Sequence, residues 1–532
     1  MNAALLIAAW LAPLLVLALR NTGRWWPALA VLPALAASII LPVGSGLEIP
    51  WLLLGVSLEL DHTGRLFMLF SALLWLFAAL YAELTADNDA HRGHFRLFFL
   101  LSMTGNMLLI LAADMMTFYS GFALMGLAAY GMIVQRRSQQ ARYAGRVYLA
   151  WTLVGELALF SAVVLLSADI GSQHFAKLRD YHFPGITVAL LVFGFGIKLA
   201  LPGLHFWLPM TYANAPTAAA AVLSGPLISA GLLGWLRFLP AEAEGLDTWA
   251  GPLQLIGIIG ILLGTLLGLL QSNPRALLGC SSILKMGFIT AVFGTALGHA
   301  EAAAGILAAL SLYALHHSLV KGALFLGVGE WQRAGATPWV LAGLGVLALA
   351  LMGAPLSGGA AAKIELKQAT AGLAENLGLL LLLSTLATAL LLGRFFWLIT
   401  RRSGSVADSS VRPAAIVWLM LVPLALWLPF SPLSAPVYIA GLIPIGVGLG
   451  IVALVWSLNR GLLQPRRRPA SMTMLHLQKT LKLKLAPVPF KMRWVPPTWR
   501  PKLNGHSALS LATGGLMWLI IFMLILLALT NG

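Results

Sequence analysis

The chain has 532 residues, of which 59% are hydrophobic and only 10% charged. A soluble domain carries about a quarter charged residues, so this composition excludes a soluble fold and points to an all-α polytopic membrane protein. The formal net charge is +16, but eleven of the Lys/Arg residues fall between Asn459 and His506 with no acid among them. That clustering reads as positive-inside topology with a pull toward anionic lipid, not as nucleic-acid affinity.

A single cysteine, Cys280, excludes disulfides and cysteine-ligated clusters within the chain. The eleven histidines show no metal-ligand spacing, and neither a Walker loop nor a dinucleotide fingerprint is present. The expectation is a chain with no metal, no cofactor and no catalytic centre of its own.

In chain order, the apolar stretch Ala4 to Leu19 has no basic region before it and reads as a first transmembrane helix, not a signal peptide. Segment 44–62 is alternating and polar enough for a short periplasmic hairpin. Basic turns alternate with acidic or neutral ones from Arg20 to Arg402. This alternation predicts about 14–16 transmembrane helices, sixteen by the best count, with both termini periplasmic. The expected organisation is 1–94 (N-terminal helices and hairpin), 95–238 (a first five-helix group), 250–398 (a second), 399–458 (additional helices), 459–508 (a basic cytoplasmic arm) and 509–532 (a C-terminal helix). The arm holds seven prolines, which exclude a long continuous helix.

Two helices are expected to be interrupted. In GFGIKLALPGLHFWLP, Pro202 removes a backbone donor four residues after Lys198. In GAPLSGGAAAKIELK, Pro355, Gly358 and Gly359 precede Lys363. Paired interruptions in two consecutive five-helix groups point to two inverted repeats, each with a broken helix.

Ionisable groups inside the apolar stretches are costly and point to function. Lys198 is the only formal charge between Ile186 and Leu201. Glu156, midway along the sixth predicted span, is its expected partner. His317 and Lys321 stand four apart on one helical face, with His316 pointing elsewhere. Lys285 lies in the tenth span. Lys363 is the terminal candidate, with His316, Glu365 and Lys367 as additional ones and Lys367 free to snorkel outward. The buried groups are mostly bases rather than an oxygen cage, which favours protons over sodium.

The phrases ADMMTFYSGFALMGLAAY, TLVGEL, GFGIKLALPGLHFWLP, APTAAAAVLSG, NPRALLGCSSILKMGF, HHSLVKGALFLG and GAPLSGGAAAK run in order from about Asp61 to Arg402. Together they resemble the proton-conducting, antiporter-like membrane subunits of respiratory complex I, of group 4 hydrogenases and formate hydrogenlyases, and of Mrp antiporters. The resemblance implies a midplane proton relay of Lys, Glu and His. It assigns Lys198, Glu156, His317, Lys321 and Lys363 to that relay. It also implies two losses: the fifth-helix glutamate is replaced by Ala123, after Phe122, and the eighth-helix basic residue by Ser229.

On this resemblance the chain is a proton-translocating or charge-coupling membrane subunit of a multisubunit, redox-driven complex in the bacterial inner membrane. Its partners would be other membrane subunits, lipid, and a peripheral iron–sulfur or NiFe-type module, with no nucleic acid. Two alternatives stand beside it. One is the membrane subunit of a DAB-type inorganic-carbon accumulation complex with a zinc-containing CO2-hydrating partner. The other is a non-conducting structural paralogue.

Overall fold

The computed structural model describes residues 2–19, 23, 25–52, 55–85, 92–373, 375–401, 410–427 and 435–458. The basic arm 459–508 and the last predicted helix, 509–532, lie outside the described residues. Among those described, nine helices have the length and apolar composition to cross a bilayer: His62–Thr85, Arg92–Leu111, Met115–Arg136, Gln139–Ile170, Thr217–Phe238, Asp247–Leu269, Pro274–Leu297, Ala300–Ala334 and Leu377–Arg401. Six shorter apolar helices accompany them, including Gly185–Leu199 and Pro338–Met352. The chain is an all-α polytopic membrane protein.

The predicted hairpin is present as the antiparallel strands Ser45–Ile49 and Val56–Leu60, with Leu47 opposite Leu58. Buried Asp114 ties it to the bundle. One carboxylate oxygen accepts from the Ser57 amide at 2.8 Å, and the other caps the Met115–Ile133 helix through the Thr117 amide at 2.7 Å. One acid thus satisfies both a strand and a helix terminus.

Pro274–Leu297 is buried along its entire length. It starts with Pro274 behind an Asn273 cap that accepts from the Arg275 and Ala276 amides, the favoured order for a helix start. Asp247–Leu269 meets it backbone to backbone. A Cβ at Gly257 would lie 2.5 Å from the Ala291 nitrogen, and one at Gly264 would lie 2.4 Å from the Leu284 nitrogen. Small residues at this spacing let membrane helices approach closely. They hold the helix that carries Lys285 at the centre of the bundle.

Both predicted breaks are present. Gly185–Leu199 ends at Ala200, which is left-handed with φ 56°, and the chain resumes as a helix at Trp207. Pro338–Met352 ends at Gly353 with φ 81°, and the chain resumes at Gly358 behind a Ser357 cap. Each break lies beside a proline that cannot donate to the preceding turn. Side chains bond a terminal carbonyl at each break. Ile197 O accepts from the Ala200 amide at 3.1 Å and from the Trp207 indole at 2.9 Å, whereas Met352 O accepts from the Lys363 ammonium at 2.5 Å.

Candidate functional site

The first cluster lies beside the first break. The Gln139–Ile170 helix presents Tyr148, Thr152 and Glu156 at i, i+4 and i+8, one stripe of one face. All three line a small cavity with Lys198, Phe122 and Trp207, and that cavity has room for about one water molecule. Lys198 is 5% exposed and Glu156 6%.

The Lys198 ammonium donates to the Tyr148 hydroxyl at 3.4 Å, and Tyr148 donates to the Gly126 carbonyl at 2.9 Å. The same ammonium lies 5.2 Å from the Phe122 ring centroid and 5.5 Å from that of Tyr148, within the range of cation–π attraction. A Cβ built on Gly126 would lie 3.2 Å from both Glu156 Oε1 and Lys198 Nζ. The two charged atoms are therefore at most twice that distance apart. Neither Glu156 oxygen has a hydrogen-bond partner, so the two groups face each other without closing as an ion pair.

The second cluster surrounds the Ala300–Ala334 helix. Here Tyr313, His317 and Lys321 repeat the i, i+4, i+8 spacing. Lys285 donates to the Tyr313 hydroxyl at 2.9 Å. Lys321 donates to the Leu278 carbonyl at 2.7 Å. Both His317 ring nitrogens are buried without a partner, and the ring lies within electrostatic range of Lys321, Lys285 and His316.

His316 lies off the His317–Lys321 face and is directed toward the second break. It interacts electrostatically with Lys285 and Lys363, and its Cε1 would be 2.9 Å from a Cβ on Gly359, at the start of the second broken half. Lys363 closes the row, bonded to Met352 O and to Thr385 Oγ1, each at 2.5 Å. Lys367 is exposed and Glu365 half-buried; neither forms an ion pair with this row among the described residues.

Ser229 stands where the resemblance implies a basic group. Its hydroxyl meets that of Ser318 at 2.7 Å, and each also faces a helix carbonyl: Gly225 O at 2.6 Å and Ala314 O at 2.8 Å. Two hydroxyl protons therefore serve three contacts. Ser318 immediately follows His317, so this pair links the Thr217–Phe238 helix to the second cluster.

Sequence reasoning missed Tyr148, Tyr313, Thr385 and Ser318. The tyrosines were findable as the first members of the two polar stripes. Arg237 forms a two-pronged pair with Asp61 at 2.8 and 2.7 Å. Glu330 is fully buried between the Tyr81 hydroxyl at 2.9 Å and Arg333.

The family model described as NADH:quinone oxidoreductase/Mrp antiporter, TM, matches residues 112–390. Hydrogenase-4 component B of Escherichia coli (strain K12) is 30% identical over 337 residues, covering 57% of this chain and 49% of that protein. NADH-quinone oxidoreductase subunit N of Rubrobacter xylanophilus is 28% identical over 298 residues, covering 53% of this chain and 61% of that protein. The chain thus spans 49% and 61% of the lengths of these two relatives.

Two solved structures share the fold. A chain of the archaeal membrane-bound sulfane sulfur reductase superposes with a TM-score of 0.67 at 20% identity, covering 86% of this chain and 96% of that one. A chain of the Mrp complex from Dietzia sp. DQ12-45-1b gives 0.68 at 19%, covering 90% and 58%. The matched segment contains both breaks and every buried lysine of the two clusters, and on this evidence the chain belongs to the NADH:quinone oxidoreductase/Mrp antiporter transmembrane family.

Proposed function

We propose that this antiporter-like subunit moves protons through a row formed by the buried Glu156, Lys198, Lys285, His316, His317 and Lys321 and the half-buried Lys363. The observation that carries the reading is the Glu156–Lys198 pair: buried, lining one small cavity and beside a broken helix. An ammonium and a carboxylate in that geometry can pass one proton through the intervening water, leaving a neutral amine and a neutral acid. The exchange cancels two buried charges, so its cost in low dielectric is small compared with that of burying either charge alone.

The second cluster works differently. Among the described residues, no carboxylate forms an ion pair with Lys285, Lys321 or Lys363. Neighbouring bases of like charge lower one another's hold on a proton, so a proton added at one end favours release at the other. Ser229 and Ser318 supply exchangeable hydroxyls where the family's eighth-helix base is missing. Glu156 serves as the counter-ion that Ala123 no longer provides. The five-helix groups 95–238 and 250–398 act as two such units in inverted orientation.

The partners we infer are other membrane subunits and a module that supplies the driving reaction. The membrane is the bacterial inner membrane, with the basic turns cytoplasmic and both termini periplasmic. Purification in gentle detergent identifies the driving module: iron–sulfur or NiFe-type proteins, or a zinc-containing CO2-hydrating subunit. The complex in sealed vesicles with an interior pH dye tests the relay. Lys198→Ala is expected to abolish driven acidification while the subunits still co-purify. Undiminished acidification by the assembled variant would refute the relay.

A further inference from the structure

One buried charge has no part in the relay. Arg275 stands in the first turn of Pro274–Leu297 and is only 2% exposed. Its Nη2 donates to the Ala215 carbonyl at 2.5 Å, and its Nη1 is buried without a partner. Among the described residues no carboxylate forms an ion pair with it. A buried cation without a counter-charge is among the costliest arrangements in a protein, and inside a membrane domain such a group points to function.

Two neighbours define where that charge lies. On one side are Pro216, Thr217 and Ala218, which directly follow the Ala215 carbonyl and form part of the wall of a polar cavity of about 380 Å³. Arg92, Arg136 and Arg333 line the same cavity, so it lies at a basic end of the bundle. On the other side the fully buried Lys321 ammonium donates to the Leu278 carbonyl at 2.7 Å. Leu278 is about one turn further along the helix that carries Arg275. Counted along this helix from the cavity end, the guanidinium comes first and the relay lysine second.

We infer that Arg275 is a fixed charge barrier, which keeps protons and other cations in the cavity from reaching Lys321 and the second cluster. The barrier needs a permanent positive charge, and a guanidinium does not release its proton at accessible pH. An arginine set across a polar passage excludes protons from membrane pores by the same electrostatics. The bond to the Ala215 carbonyl fixes its position. The inference rests on the relay reading and adds a direction to it. Lys321 is loaded along the row and not from the cavity, so protons cannot short-circuit the driven path.

The test uses the assembled complex in sealed vesicles without its driving reaction, at about pH 6 so that an introduced lysine stays charged. An interior dye reads the decay of an imposed pH gradient. Arg275→Gln keeps a donor for the Ala215 carbonyl and removes the charge. It is expected to speed the decay at least about tenfold, the lower end of what a focused field does to the arrival of an ion. Arg275→Met, which matches the apolar stem, is the second neutral variant should the glutamine disturb assembly. Arg275→Lys keeps the charge and should decay at the parental rate. Adding Lys321→Met to the neutral variant should restore the parental rate, because the leak runs through the row. Parental decay in the neutral variant, equal acceleration by Arg275→Lys, or a leak that survives Lys321→Met overturns the barrier. Driven acidification and its loss in Lys198→Ala are read in the same vesicles, so a failed barrier is told apart from a failed relay.

Discussion

Glu156 and Lys198 face each other over Gly126, where the absence of a side chain leaves both within 3.2 Å of the vacant Cβ position. The glycine keeps open the space that separates the pair. Gly126→Ala would place a methyl group there and fill the space through which a water could link the pair. Overpacking of this kind costs about 1–3 kcal/mol, which a well-buried bundle tolerates. Driven proton uptake into sealed vesicles is expected to fall at least about tenfold, equivalent to about 1.4 kcal/mol on the limiting step. An assembled variant that runs at the parental rate would show that this gap is not part of the path.

Charge retention separates a relay from a structural ion pair. Lys198→Arg keeps the positive charge but cannot release its proton at accessible pH. It is expected to abolish translocation as completely as Lys198→Ala, with the complex still assembled. Glu156→Gln should have the same effect. Adding Ala123→Glu to Glu156→Gln returns an acid to the position where the family resemblance implies one. Partial recovery of translocation in the double variant is the expected result, and its absence would argue against Glu156 as a replacement counter-ion.

What was legible in the sequence follows from chemistry. A lysine in an apolar stretch is conspicuous because hydrocarbon penalises it, so Lys198, Lys285, Lys321 and Lys363 could be singled out, as could the breaks marked by Pro202 and Pro355. Tyr148, Tyr313, Thr385 and Gly126 could not be selected that way, since each is at home in ordinary helix packing. Their importance comes from partners far away in sequence: Tyr148 meets Lys198, and Thr385 meets Lys363. Nothing in the sequence sets Arg275 apart from the exposed basic residues, and only the fold shows it to be buried. The i, i+4 spacing set His316 apart from the His317–Lys321 face, but only the fold shows that the face it occupies packs against Gly359 of the broken helix.

The Ser229–Ser318 pair should behave as a coupled unit. A double-mutant cycle with Ser229→Ala and Ser318→Ala, read by unfolding in detergent, is expected to give a coupling of about 0.6 kcal/mol, typical of hydrogen bonds between membrane helices. Each single variant should also lower translocation, because the remaining hydroxyl retains its helix carbonyl but loses its exchange partner. Additive stabilities together with unchanged translocation would reduce the pair to packing.

Lys363 has two roles that substitution can separate. Its ammonium satisfies the Met352 carbonyl at the second break and also reaches Thr385 Oγ1. Lys363→Ala removes both contacts. It should destabilise the subunit by about 1–3 kcal/mol, the cost of leaving a buried carbonyl unsatisfied, and should abolish translocation. Thr385 donates its own proton to the Leu381 carbonyl at 2.7 Å, so toward Lys363 it acts only as an acceptor. Thr385→Val therefore leaves the carbonyl cap in place and removes one of the two acceptors that hold the charged amine. The expected outcome is a small change in unfolding midpoint with a clear loss of translocation rate. If Thr385→Val instead lowers the midpoint as far as Lys363→Ala and leaves the rate untouched, Lys363 caps a broken helix and does not carry protons.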